Sequence, residues 1–162
     1  MNLNELYVTD EVAWLEESAR LIKEGRTQEL DFANLKDYLE SSAAEDKAEV
    51  SRRLTELLTN LLDWQVDARP RSAPWHEQIF AQRNELADLL SSPSLSDFAA
   101  KDLSRGYTWA RRSSAATAKR DLADFPAKCP YTLEQILDED FYPDGPIRKA
   151  LVPSPAPRRK RS

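Results

Sequence analysis

The stretch that decides the fold is Ser42 to Trp64, SAAEDKAEVSRRLTELLTNLLDW. Val50, Leu54, Leu57, Leu58, Leu61, Leu62 and Trp64 recur at steps that keep them on neighbouring sides of an α-helix. The resulting stripe is broad. A helix apolar over so wide an arc packs on more than one side, which predicts a central place in a bundle. Ser42-Ala43-Ala44-Glu45 has the form of a capping box, so the start of this helix is expected at Ser42.

The flanks read as further helices. A first is expected from about residue 10 to 24, capped by Thr9 or Asp10, stopped by Gly25, with Val12, Leu15, Ala19 and Ile22 on one face. A second follows Asp31, with Phe32, Leu35 and Leu39 in register, and ends near Ser41. Beyond a turn at residues 67–72, Ser72 caps a fourth helix with Pro74 in its first turn and Trp75, Ile79, Leu86 and Leu90 on its buried side. Pro93 breaks the chain. A fifth helix carries Leu95, Phe98, Leu103, Tyr107 and Ala110 and frays around Ser114. Thr132-Leu133-Glu134-Gln135 is a second capping box, with Tyr131 and Ile136 at the staple positions of a short last helix closed by Phe141-Tyr142-Pro143. No stretch alternates with period two. The expected class is all-α, a single compact bundle of five or six helices over residues 1–146.

Composition agrees and narrows the chemistry. Leucine and alanine total 41 of the 162 residues, valine and isoleucine 9, a ratio that favours helix over strand. With 3 glycines the chain has no G-x-x-x-x-G-K or G-x-G-x-x-G loop to cradle phosphates. One cysteine and one histidine exclude a disulfide framework and the usual zinc sets, so neither a metal nor a cofactor is expected. Neither a secretory signal nor a membrane-spanning run stands out, and a cytoplasmic location is expected.

Charge is segregated. Residues 1–146 hold 17 Lys+Arg against 28 Asp+Glu, a net of −11, while residues 147–162 hold six bases and no acid, a net of +6. The tail ends LVPSPAPRRKRS; its prolines deny it a helix and it has little to bury, so it is expected to be flexible. A basic tail attracts nucleic acid, or the acidic body itself.

Two constellations stand out for possible chemistry. Gln82 and Arg83 fall within the apolar arc of the fourth helix, and a buried guanidinium must find partners or cost several kcal/mol, on the order of the ion desolvation penalty. Asn60 and Gln65 on the third helix are the expected partners, giving an interhelical polar cluster of Asn60, Gln65, Gln82 and Arg83 that fixes helix register or opens to a ligand. The turn before the fourth helix gathers Arg69, Arg71, Trp75 and His76. Arginine beside exposed aromatics can grip phosphate and stack on bases, whereas arginine stacked on Trp64 and Trp75 would simply close the turn. Arg71 and His76 also form R-x-x-x-x-H, a spacing used by some helical ribonucleases. No catalytic group is assigned on that basis. Glu45, Glu49 and Glu56 read as a solvated face, as do Asp138, Glu139 and Asp140, and Cys129 reads as a small buried apolar group.

Taken in order, a set of short segments resembles one known family. They are Leu6-Tyr7; Asp10 with Ala13-Trp14-Leu15-Glu16-Glu17; Glu29-Leu30-Asp31 with Asn34-Leu35; Leu61-Leu62-Asp63-Trp64-Gln65; Arg71-Ser72 with Trp75; Gln82-Arg83; Pro93-Ser94-Leu95; Phe125-Pro126; and Cys129-Pro130-Tyr131-Thr132-Leu133-Glu134-Gln135. Their order and spacing resemble the bacterial domain-of-unknown-function family numbered 29 over roughly residues 5–143. The resemblance implies a compact all-α domain and carries no established activity, cofactor or partner. This chain departs from the pattern at Asn60, where relatives often carry histidine, and at Asp63, where lysine is usual.

With no catalytic constellation in view, the expected function is a non-enzymatic helical module that binds a protein partner or regulates one. The alternatives are nucleic-acid binding through Arg69, Arg71, Trp75 and the basic tail, and a ribonuclease-like enzyme using Arg71 and His76.

Overall fold

Leu3–Thr9 (α1), Glu11–Lys23 (α2), Phe32–Val66 (α3), Ala73–Leu89 (α4), Pro93–Ala118 (α5) and Leu133–Leu137 (α6) are the α-helices of the computed structural model, which describes residues 2–66 and 71–143. Two single 3-10 turns, Thr27–Glu29 and Leu122–Asp124, complete the regular structure, and no strand occurs among the described residues. The all-α class is therefore the fold observed. Residues 67–70 and the basic tail lie outside the described residues. The chain packs as two compact units, Met1–Asp46 and Lys47–Ser162, and α3 contributes to both.

In the first unit, α1 is a helix that periodicity did not announce. It is opened by a capping box in which the Glu5 amide donates to Asn2 Oδ1 at 2.8 Å and the Asn2 amide donates to Glu5 Oε2 at 3.1 Å. Asp10 separates it from α2 and caps that helix, accepting from the Ala13 amide at 3.0 Å. Gly25 stops α2 at φ 73°, where Gly25 N–H donates to Ile22 and Arg26 N–H reaches back to Leu21, a Schellman closure. The face α2 buries is Trp14, Ser18 and Leu21, not the expected Val12, Leu15, Ala19 and Ile22. Ring packing decides this: Trp14 lies between Tyr7 and Tyr38, with centroids 4.9 and 5.5 Å away, and this aromatic set turns the Trp14 face inward.

The largest departure from expectation is α3. The predicted break at Ser41–Ser42 does not exist; one helix of 35 residues runs through it. A Ser-x-x-Glu pattern caps a helix only where the chain arrives in a non-helical conformation. Residues 32–66 contain no glycine or proline, and Ala43, Ala44 and Ala48 favour continuation. The true start is at Asp31, whose carboxylate accepts from the Asn34 amide at 3.2 Å.

In the second unit the broad stripe behaves as its width requires. Val50, Leu54, Leu57, Leu58, Leu61 and Leu62 are fully buried. On one side α4 is fastened to α3 by Asn60 Nδ2 donating to Gln82 Oε1 at 2.9 Å and by an Arg53–Glu85 ion pair. On the other, Ser51 Oγ donates to Asp102 of α5 at 2.7 Å. Gly106 lets α5 come close, since a Cβ there would sit 3.3 Å from Thr55 Oγ1 and 3.5 Å from Leu58 Cδ1. α5 continues past the expected Ser114 to Ala118 and ends on Lys119 in the left-handed region at φ 53°. The chain then returns across α5. Tyr107 Oη donates to the Pro126 carbonyl at 2.8 Å, and Arg111 donates to the Leu122 and Phe125 carbonyls. α6 begins at the capping box expected of it, the Gln135 amide donating to Thr132 Oγ1 at 3.1 Å.

Candidate functional site

Arg83 is the most constrained charged group of the second unit. It is 1% exposed, at the place on α4 that helical spacing assigns to the core. Its partners are main-chain carbonyls of the C-terminal segment. Nε donates to Ile136 at 2.8 Å, Nη1 to Glu139 at 3.2 Å and Nη2 to Phe141. Tyr142 lies over the guanidinium at 5.0 Å. Burial pulls the Arg83 pKa down, opposed by the nearby Tyr142, Asp138 and Glu139, yet arginine starts so far above neutrality that the group stays charged. The guanidinium is thus a clamp on residues 136–142.

The expected four-residue polar cluster therefore divides among three sets of partners. Asn60 and Gln82 bond each other. Gln65 Oε1 accepts from Tyr131 Oη at 3.0 Å inside the core, where burial holds the Tyr131 phenol well above its ordinary pKa. Arg83 turns to the carbonyls. The signal that could have shown this was the closing segment itself: Phe141-Tyr142-Pro143 supplies rings but no helix of its own, so its backbone needs donors from elsewhere.

The turn residues form an aromatic stack. Trp64 packs against Trp75 at 5.2 Å and Tyr142 at 4.7 Å, and His76 lies nearly parallel to Tyr142 at 4.9 Å with 20° between the planes. Arg71 Cζ stands 5.2 Å over the Trp64 ring, and its Nε donates to the Trp64 carbonyl at 3.3 Å. A hollow of about 360 Å³ is lined here by Trp64, Arg71, His76 and Glu77, among others. Trp64 and Trp75 are each 8% exposed, so neither offers an open ring face to a stacking base. His76 is exposed, with no hydrogen bond to its ring among the described residues. Arg69 lies outside the described residues. Cys129 is half-buried, its Sγ 3.4 Å from the Tyr131 carbonyl, and burial pushes the thiol pKa up, away from nucleophilic use.

A larger recess was not foreseen. A groove of about 770 Å³ runs along α3, α4 and α5, lined by Thr55, Thr59, Gln78, Trp109 and Ser113 with the Asn60–Gln82 amide pair. Trp109 is 55% exposed at its edge, with the Arg112 guanidinium 5.6 Å over the ring. The two arginines that also line it are paired: Arg52 with Glu49 and Glu56, Arg105 with Asp102. Hydrogen bonds from Arg52 and Arg53 pull the Glu49 carboxyl down to about 2. Thr55 and Thr59 hydroxyls donate to carbonyls one turn back in α3. What remains for a ligand is amide, hydroxyl and indole. No histidine or cysteine lines the groove, and no group of three metal-ligating side chains occurs among the described residues. The sequence signal was Trp109 itself, out of register with Leu103, Tyr107 and Ala110 on the buried side of α5.

No helix among the described residues is long and apolar enough to cross a membrane. No curated protein and no solved structure matches the chain. A family model does: the one described as domain of unknown function DUF29 matches residues 6–142, nearly the whole length, and the chain belongs to that family.

Proposed function

We propose that this protein is a non-enzymatic interaction module whose α3–α4–α5 groove receives a polypeptide segment of a partner protein. The observation that carries the reading is Trp109, a large ring left 55% exposed beside a recess floored by the Asn60–Gln82 amide pair. Exposed tryptophan with its indole edge in water is the residue type that anchors protein interfaces. Side-chain amides, each with both donors and acceptors, suit the N–H and C=O groups of a main chain. The paired arginines give the recess little net charge for a phosphate backbone, which favours polypeptide over nucleic acid.

The test is photo-crosslinking in the host cell, with a photoreactive phenylalanine analogue at position 109 and, separately, at Phe80. Phe80 is 42% exposed and lies on the side of α4 away from Gln78 and Gln82. Position 109 should yield a discrete protein adduct that position 80 does not. RNA adducts at 109, or identical products at both positions, would overturn the reading.

A further inference from the structure

The first unit carries a surface that the groove reading leaves untouched. Along α2, Val12, Leu15, Ala19 and Ile22 are separated by three, four and three residues, the a/d spacing with which one helix seats another. At ~100° per residue this seam is centred roughly 110° around the helix from the buried Trp14, Ser18 and Leu21. It is open: Val12 is 64% exposed and Ile22 53%. α3 repeats the pattern at its start, with Phe32, Leu35 and Leu39 at steps of three and four, and with Phe32 and Leu39 each 60% exposed. Among the described residues of this unit, Trp14 and Leu21 are the only buried large apolar side chains, a small core for a compact body of this size.

Charge selects what covers the seam. Residues 1–46 hold 12 acids and 4 bases, a net of −8. Glu17, Glu24, Glu29 and Glu40 are ion-paired to Arg20, Arg26 and Lys36; the other eight acids have no salt bridge among the described residues. Glu11 and Glu16 border the seam on its two sides, with Lys23 the one base beside it. A second copy would set −8 against −8. A nucleic acid or an anionic lipid surface would be repelled in the same way. We infer that the Val12–Ile22 seam of α2 docks a basic amphipathic α-helix of a partner protein, its apolar stripe on the seam and its Lys or Arg side chains over Glu11 and Glu16. This is the helix-against-apolar-face mode of recognition, with specificity and encounter rate set by charge.

The experiment uses the full chain and three synthetic three-heptad peptides carrying a dye, read by fluorescence anisotropy at low and physiological salt. One has Leu at a and d with Lys at e and g; the second replaces Lys by Glu; the third keeps Lys but replaces Leu by Ser. The Leu/Lys peptide should bind, and the other two should bind at least about tenfold more weakly. Val12→Ala with Ile22→Ala removes the apolar bulk while keeping helix propensity, and should weaken the Leu/Lys peptide about tenfold. Glu16→Lys should weaken the Leu/Lys peptide and strengthen the Leu/Glu one. Trp109→Ala should change neither, so failure here and failure of the groove reading are distinguishable. Equal affinity for the Leu/Lys and Ser/Lys peptides would reduce the effect to bulk charge and overturn the proposal. Unchanged binding by the Val12/Ile22 double variant would also overturn it. So would a concentration-dependent dimer in sedimentation that the double variant abolishes, because a second copy would then hold the seam.

Discussion

The two units of this chain use the same helical alphabet to opposite ends. In residues 47–143 the described large apolar groups turn inward around α3, and Phe80, Trp109 and Leu122 are the large ones left more than a third exposed. In residues 2–46 the balance is reversed: Val8, Val12, Ile22, Phe32 and Leu39 stand in solvent. The second unit closes because α3 meets helices on both of its sides and a clamped C-terminal segment covers α4. The first has one aromatic knot, Tyr7–Trp14–Tyr38, and a set of surface ion pairs on Arg20 and Arg26, which contribute little in water. Helical periodicity marks which residues want a partner. It does not say whether that partner lies in the same unit.

The contrast can be broken or sharpened by substitution. The largest effect is expected at Arg83. Arg83→Leu strands the carbonyls of Ile136, Glu139 and Phe141 without donors and should cost about 3–5 kcal/mol in urea unfolding, with Arg83→Lys recovering part of it. A cost below about 1 kcal/mol would mean that the clamp is dispensable. Next comes Leu58→Ala in the fully buried centre of α3, expected to cost about 2–5 kcal/mol by the same measurement. The matched change in the first unit, Val12→Ala, should stay within about 0.5 kcal/mol. Equal costs at positions 58 and 12 would erase the distinction drawn between the units.

Smaller effects test local structure. Asp10→Ala removes the cap of α2 and should cost about 1 kcal/mol, seen as faster amide hydrogen exchange in the first turns of α2 with the amides of residues 54–62 unchanged. The smallest is acid sensitivity through Glu49. Hydrogen bonds from Arg52 and Arg53 lower its folded-state pKa from an ordinary 4.5 to about 2. A carboxyl depressed on folding stabilises the folded form above its unfolded pKa and loses that contribution as pH falls through the folded one. The stability difference between wild type and Glu49→Gln should therefore shrink between about pH 4.5 and about pH 2. Because Glu49 is partly open to solvent, salt should shrink it too.

Much of the fold could be read from residue spacing, and the exceptions share a cause. The cap at Ser72, the closure at Gly25 and the box at Thr132 were legible because each is a local transaction between a side chain and its own backbone. The false start at Ser42 fails for the complementary reason: the pattern was present, but nothing unwound the chain before it. The short α1 was missed because seven residues span too few turns to display a period. At the site, spacing placed Arg83 and Gln65 inward but not their partners, since Ile136, Phe141 and Tyr131 lie 53 to 66 residues away. Trp109 went unnoticed because an aromatic residue in a helix is first counted toward the interior, and only its phase relative to Tyr107 and Ala110 sets it outside.

The Arg83 contacts carry one more consequence. The three hydrogen bonds from the guanidinium to Ile136, Glu139 and Phe141 all end on main-chain carbonyls, so they do not read those side chains. Substituting the Glu139 side chain would thus leave all three hydrogen bonds in place, while inserting or deleting a single residue between Ile136 and Phe141 would move a carbonyl out of reach. In this corner of the molecule, evolution should count residues rather than spell them.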